Sequence, residues 1–226
     1  ATRVAAFKFD ACGCLAVPVA PTASATAPQD NRIDASWNDS ATATITQYFV
    51  YRSTTSLGPY TQIATVADSS PGVANGPGYT YHDNTVSGGV RYYYVVKSTD
   101  GGACTSPNSN EVSALATGRC LLAPTFAGVA SVTNPGSATC TLNLGWAAGA
   151  SNCSGTLAYN VYRSTTSGFI PAPANQIATG IAGTAFADAV GISNGTTYYY
   201  VVRAVDASNA VEDPNVVHTS GVPTGV

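Results

Sequence analysis

The amino-acid sequence predicts an all-β protein, two β-sandwiches in tandem behind an N-terminal extension strand. Three observations carry this expectation. The chain repeats itself: TATITQYFVYRSTTS at 42–56 returns as GTLAYNVYRSTTSG at 155–168, and RYYYVVKSTD at 91–100 returns as TYYYVVRAVD at 197–206. A repeat of this spacing is the size of one small domain. Apolar residues alternate at period two, Ile33, Ala35 and Trp37 in the first copy and Leu142, Leu144 and Trp146 in the second, and no stretch follows the 3.6-residue period of an amphipathic helix. Gly, Pro, Asn and Asp interrupt these runs about every ten residues, as turns do between the short strands of a sandwich.

Taken in order, residues 1–16 have no counterpart in the repeat. The segment ATRVAAFKFDACGCLA places Val4, Phe7 and Phe9 in an extended pattern, whereas a disordered tail is usually polar. Two readings stay open: a tail folded onto its own first module, or a donor strand offered to the open sheet edge of a neighbouring copy. The first module spans 17–117 and the second 118–226, joined through ATGRCLLAP by a link of only a few residues. Alternation turns Tyr48, Val50, Tyr94, Val96 and Ser98 inward, with Tyr159, Val161, Tyr200, Val202 and Ala204 as their equivalents. It turns Tyr51, Tyr93 and Val95, with Tyr162, Tyr199 and Val201, outward, where they are expected to form exposed aromatic patches. Such tyrosines either support one another across strands or meet a sugar, a substrate or another subunit.

Composition excludes several classes of function. A formal net charge of −3, with 9% charged residues and no Lys/Arg cluster, argues against nucleic acid as a partner, because phosphate binding needs a basic stripe. No apolar run approaches the ~20 residues that span a bilayer, so no membrane insertion is expected. Six cysteines, Cys12, Cys14, Cys104, Cys120, Cys140 and Cys153, point to an oxidising compartment. A chain starting at Ala1 without Met reads as a mature extracellular or cell-surface protein. The inventory for chemistry is thin. His82 and His218 are the two imidazoles, His82 being placed in a turn, and no nucleophile elbow, zinc-protease or phosphate-loop motif is present. We expect no enzyme activity, no catalytic residue, no cofactor and no metal: Cys12-Gly13-Cys14 lacks a second ligand pair, and Glu212-Asp213 with Asp206 reads as a solvated turn.

Each copy resembles a fibronectin type III domain. The likeness rests on the Trp of the second strand, the Tyr-x-Val-Tyr-Arg-Ser of the third, and a motif read here as Asp83, Val86, Gly89, Tyr92, Tyr94 and Val96. In the second copy Asp188 begins that motif and Tyr198, Tyr200 and Val202 end it. The resemblance implies Greek-key sandwiches in which Tyr92 and Tyr198 are corner tyrosines bonded back to the preceding loop. It also implies that Cys12 or Cys14 lies near Cys104 and Cys120 near Cys153, leaving Cys140 about 20 Å from that end and available for a bond between chains. Cys140 with Cys153 is the competing pairing. For function the expectation is a secreted, non-enzymatic structural protein that assembles head to tail into a filament through its N-terminal strand, partnered by itself or by other surface proteins. The alternative is an adhesive or polysaccharide-binding accessory module of a secreted hydrolase.

Overall fold

The computed structural model describes residues 14, 16–102, 104–136 and 139–225. The chain divides after Arg119 into two compact units. In the first, β1 (Ala23–Gln29), β2 (Arg32–Trp37) and β5 (Tyr79–Asp83) form a sheet in the order β1-β2-β5. Facing it, β3 (Gln47–Ser53), β4 (Thr61–Ala67), β6 (Arg91–Thr99) and β7 (Val112–Leu115) form the sheet β4-β3-β6-β7. The second unit repeats this order with β8 (Ser131–Thr133), β9 (Leu142–Gly145) and β12 (Ala185–Asp188) as β8-β9-β12. Its other sheet is β11-β10-β13-β14, from β10 (Leu157–Ser164), β11 (Gln176–Ile181), β13 (Tyr198–Asp206) and β14 (His218–Gly221). All pairings are antiparallel.

The alternation in the sequence becomes the core. Ile33, Ala35 and Trp37 project from β2 onto Tyr48, Val50, Tyr94 and Val96 of the opposite sheet, and all seven are buried. Leu142, Leu144 and Trp146 meet Tyr159, Val161, Tyr200 and Val202 in the same way. Trp37 and Trp146 are 3% and 6% exposed. The aromatic packing differs in detail between the copies. Trp37 stacks on Tyr79 at 5.8 Å between centroids, and Tyr79 in turn lies 4.8 Å from Tyr48. In the second unit Phe126 fills the space beside Tyr159 at 5.2 Å, with Trp146 on it at 5.4 Å.

One polar assembly recurs in both cores. Asp83, at the end of β5, is fully buried; it accepts hydrogen bonds from Arg52 Nη1 at 2.7 Å and from the Tyr94 hydroxyl at 2.9 Å. Asp188, at the end of β12, accepts from Arg163 Nη1 at 2.8 Å and from the Tyr200 hydroxyl at 2.7 Å. Each guanidinium also lies over the ring of the next tyrosine, Arg52 over Tyr92 at 5.0 Å and Arg163 over Tyr198 at 5.3 Å. Those rings are the corner tyrosines: Ser87 N–H donates to the Tyr92 hydroxyl at 2.9 Å and Ser193 N–H to the Tyr198 hydroxyl at 3.0 Å. His82 belongs to β5 and not to a turn, because its neighbours in the sequence pair with β2 throughout, Tyr81 with Ala35 and Asp83 with Ile33.

Burial raises the Asp83 carboxyl, but hydrogen bonds from Thr85, Arg52 and Tyr94 outweigh it and hold the group below its ordinary 3.8. A depressed folded-state value means stability that is present above the unfolded value and lost as pH falls through the folded one. The first unit should therefore lose this contribution in acid below about pH 4, as read from the urea midpoint against pH. In the second unit Trp146→Ala should cost about 3–5 kcal/mol through the cavity it leaves. Asp188→Ala should also destabilise this unit, because the buried Tyr200 hydroxyl loses its acceptor and the partly buried Arg163 its counter-charge; urea denaturation measures both.

Candidate functional site

The outward faces of the two four-stranded sheets are where alternation sends aromatic residues in both copies. On the first, the loop at 54–60 between β3 and β4 folds back across the sheet. Glu111, just before the far edge strand β7, accepts from Ser56 Oγ at 2.8 Å, from Leu57 N–H at 2.6 Å and from the Tyr60 hydroxyl. Lys97 Nζ lies over the Tyr51 ring at 5.6 Å. Tyr51 and Tyr93 are half-buried, and Val95, expected to be exposed, is 2% exposed.

The second face is built differently. Tyr162, expected to belong to an exposed patch, is buried at 6% exposure. Its hydroxyl donates to Glu212 at 2.6 Å, and Arg203 lies 5.9 Å over its ring while pairing with Glu212 at 3.3 Å. Asn160 Nδ2 donates to the same carboxylate at 2.8 Å. Val201, paired across from Tyr162, is fully buried, which again corrects the expectation. Tyr199 is half-buried with its edge to His218 at 6.0 Å. The physical reason is that alternation sets the direction of a side chain and not what lies on that side. Here Tyr162, Arg203 and the Glu212 carboxylate engage one another on that side, next to Val201. The four tyrosines therefore do not make two equivalent platforms. Tyr60 and Glu111, which organise the first face, went unread in the sequence, whereas Glu212, expected in a solvated turn with Asp213 and Asp206, organises the second.

Other acids secure loops. Asp206 is fully buried and accepts from Ser151 Oγ, from Ser208 N–H at 2.8 Å and from Ser208 Oγ at 2.6 Å. Asp213, 2% exposed, accepts from Ala204 N–H at 2.5 Å and from Asn215 N–H at 3.0 Å. The expectation of a solvated turn at Asp206 and Glu212-Asp213 is thus corrected: backbone donors buried at a sheet end need acceptors, and these carboxylates supply them. Asp39 receives the Tyr48 hydroxyl and Ser40 N–H, and Asp68 receives the Tyr79 hydroxyl and Ser70 N–H at 2.8 Å. Among the described residues no three His, Cys, Asp or Glu side chains are grouped to hold a metal ion. The His82 ring meets Arg32 and Asp34, and His218 is exposed. Neither imidazole is thus placed beside a hydroxyl or thiol nucleophile among the described contacts.

The cysteines are brought together at one end of each unit. Cys14 is bonded to Cys104 with Cα atoms 4.9 Å apart, and Cys120 to Cys153 with Cα atoms 5.7 Å apart. Cys153 is therefore not available to Cys140, whose thiol is free, half-buried and seated against Gly225. Val4, Phe7, Phe9 and Cys12 lie outside the described residues.

Burial and the adjoining carboxylate push two tyrosines up to about 12: Tyr60 beside Glu111 and Tyr162 beside Glu212. A raised value means stability present below the ordinary 10 and lost as pH rises through about 12. In an ultraviolet titration of tyrosinate, Glu111→Gln should return one tyrosine toward 10 and leave Tyr162 where it is.

No family model matches the chain. In sequence it is similar to the amylopullulanase of Thermoanaerobacter thermohydrosulfuricus, 34% identical over 84 residues that make up 37% of this chain and 5% of that protein. Among solved structures it is similar to a Fn3-like protein from Clostridium thermocellum, with 32% identity, 47% of this chain and 100% of that chain covered, and a TM-score of 0.35. It is also similar to a beta-1,2-glucanase from Parabacteroides distasonis, with 24% identity, 47% and 14% covered, and a TM-score of 0.37. The FN1-FN3 domains of chicken CNTN1 match at 14% identity, with 92% and 69% covered and a TM-score of 0.37. With one strand order repeated in both units, a Trp-centred core in each and a corner tyrosine at each turn into β6 and β13, the chain is a tandem pair of fibronectin type III-like domains.

Proposed function

We propose that the chain is a non-catalytic pair of extracellular accessory domains, a spacer within a larger secreted protein that acts on polysaccharide. The observation that carries this reading is where the ionisable groups go. Asp39, Asp68, Asp83, Asp188, Asp206 and Asp213 are all buried, and each is engaged by tyrosine, arginine, serine or backbone donors of its own domain. A catalytic site needs such groups converging on a cleft with open valences, and here they close loops instead. The 84-residue likeness to a segment making up 5% of an amylopullulanase fits a module carried by a much longer hydrolase. Two disulfides fit an oxidising exterior. Among the described residues no helix is long and apolar enough to cross a membrane.

A second reading, head-to-tail self-assembly through residues 1–16, is favoured by one feature of the sheets. The edge strands β4 (TQIATVA) and β11 (QIATGI) carry neither a charge nor a proline, the usual devices that stop an extra strand from pairing.

The two readings part in a direct experiment. The full chain and a version lacking residues 1–11 are compared by light scattering, and both are mixed with insoluble starch and with soluble glucans. The spacer reading expects two monomers of the same behaviour and no glucan hydrolysis. Association that disappears with residues 1–11 would establish the filament, and hydrolysis by the purified chain would overturn both readings.

A further inference from the structure

The disulfides and the strand order together determine which parts of the chain carry tension. A load drawn between the two ends reaches Cys14 and crosses its sulfur bridge directly to Cys104, a step of 90 residues in sequence. Strands β1 to β6 lie inside that covalent loop. The load then runs along β7 to Arg119 and into Cys120, where the second bridge passes it to Cys153 and bypasses β8 and β9.

We propose that the tandem is a load-bearing tether in which the two disulfides divert force past most of the first domain and the first two strands of the second. Diversion works only if the unshielded strands resist, β7 in the first domain and β10 to β14 in the second, and each domain is anchored where the chain leaves it. Strand β7 is paired with β6 through Arg91 and Leu115, Tyr92 and Ala114, Tyr93 and Ser113, and Tyr94 and Val112. Tension between Cys104 and Arg119 draws β7 along its own axis, so these rungs bear the load together instead of one after another. Beyond β7, Ala116 N–H donates to Val90 O and Gly89 N–H to Ala116 O, both at 2.9 Å. Asn31 N–H donates to Thr117 O at 2.9 Å, and Gly88 N–H donates to Arg119 O at 3.0 Å. The seat is tight enough that a side chain at Gly88 would collide with the backbone of Gly118.

The second domain ends in the same manner. Cys140 N–H donates to Thr224 O at 3.1 Å and Gly195 N–H to Pro223 O at 3.1 Å. Asn134 Nδ2 donates to Val222 O at 3.0 Å and Asn194 Nδ2 to Gly225 O at 2.7 Å. Each domain thus has a covalent anchor where the chain comes in and a hydrogen-bonded anchor where it goes out. The spacer reading supplies the natural source of load, while the mechanical behaviour follows from connectivity and is tested separately.

The test is single-molecule stretching of the full chain between handles at its two ends, with and without dithiothreitol. At about 3.6 Å per extended residue, the bridge spanning 90 residues withholds about 320 Å of contour and the bridge spanning 33 about 120 Å. Without reductant, unfolding of the first domain should release less than about 60 Å, the length of the segment between Cys104 and Cys120. With reductant the two unfolding steps should lengthen by about 320 Å and 120 Å. Cys153→Ala should lengthen only the second step, which keeps the first as an internal control. Steps of equal length with and without reductant would overturn the proposal, whatever the starch and scattering experiments show about the spacer.

Discussion

Each domain depends on a carboxylate taken out of water at the end of a strand. Asp83 and Asp188 close the three-stranded sheet onto the four-stranded one, because each accepts from an arginine of β3 or β10 and a tyrosine of β6 or β13. A buried carboxylate without partners costs several kcal/mol, so this contact is made in full or the sheets do not close. The arginine that satisfies the carboxylate also lies on the corner tyrosine, and the corner tyrosine receives the backbone of the turn before it. Core, turn and sheet pairing are thereby coupled through four residues per domain.

The same economy extends to the loops. In a chain with only 9% charged residues, buried acids act as acceptors for backbone donors at sheet ends instead of facing solvent. Asp39 and Asp68 hold the loops around Tyr48 and Tyr79, and Asp206 and Asp213 hold those around β13.

Much of the fold was legible in the sequence because the features that build it are local and repeated. Ile33, Ala35 and Trp37 declare an inward face by spacing alone, and the copy at Leu142, Leu144 and Trp146 declares it again. The resemblance carried the corner tyrosines and the neighbourhood of the cysteines at one end of a sandwich. The candidate site was less legible. Tyr162 and Val201 point away from the core as alternation requires, yet both are buried. Asp213 looks like a turn residue by its neighbours Glu212 and Pro214, yet it is buried against Ala204.

The sequence by itself determined which residues face the two cores and that one sandwich follows another, since period, repeat and turn chemistry act over a few residues. Tertiary structure alone decided what covers the outward faces and where tension runs. Ser56 and Glu111 stand 55 residues apart, Tyr162 and Glu212 stand 50 apart, and the sulfurs of Cys14 and Cys104 join across 90. Contacts of that range leave no periodic trace, because they arise only when whole sheets have packed and brought distant loops to the same end of a domain.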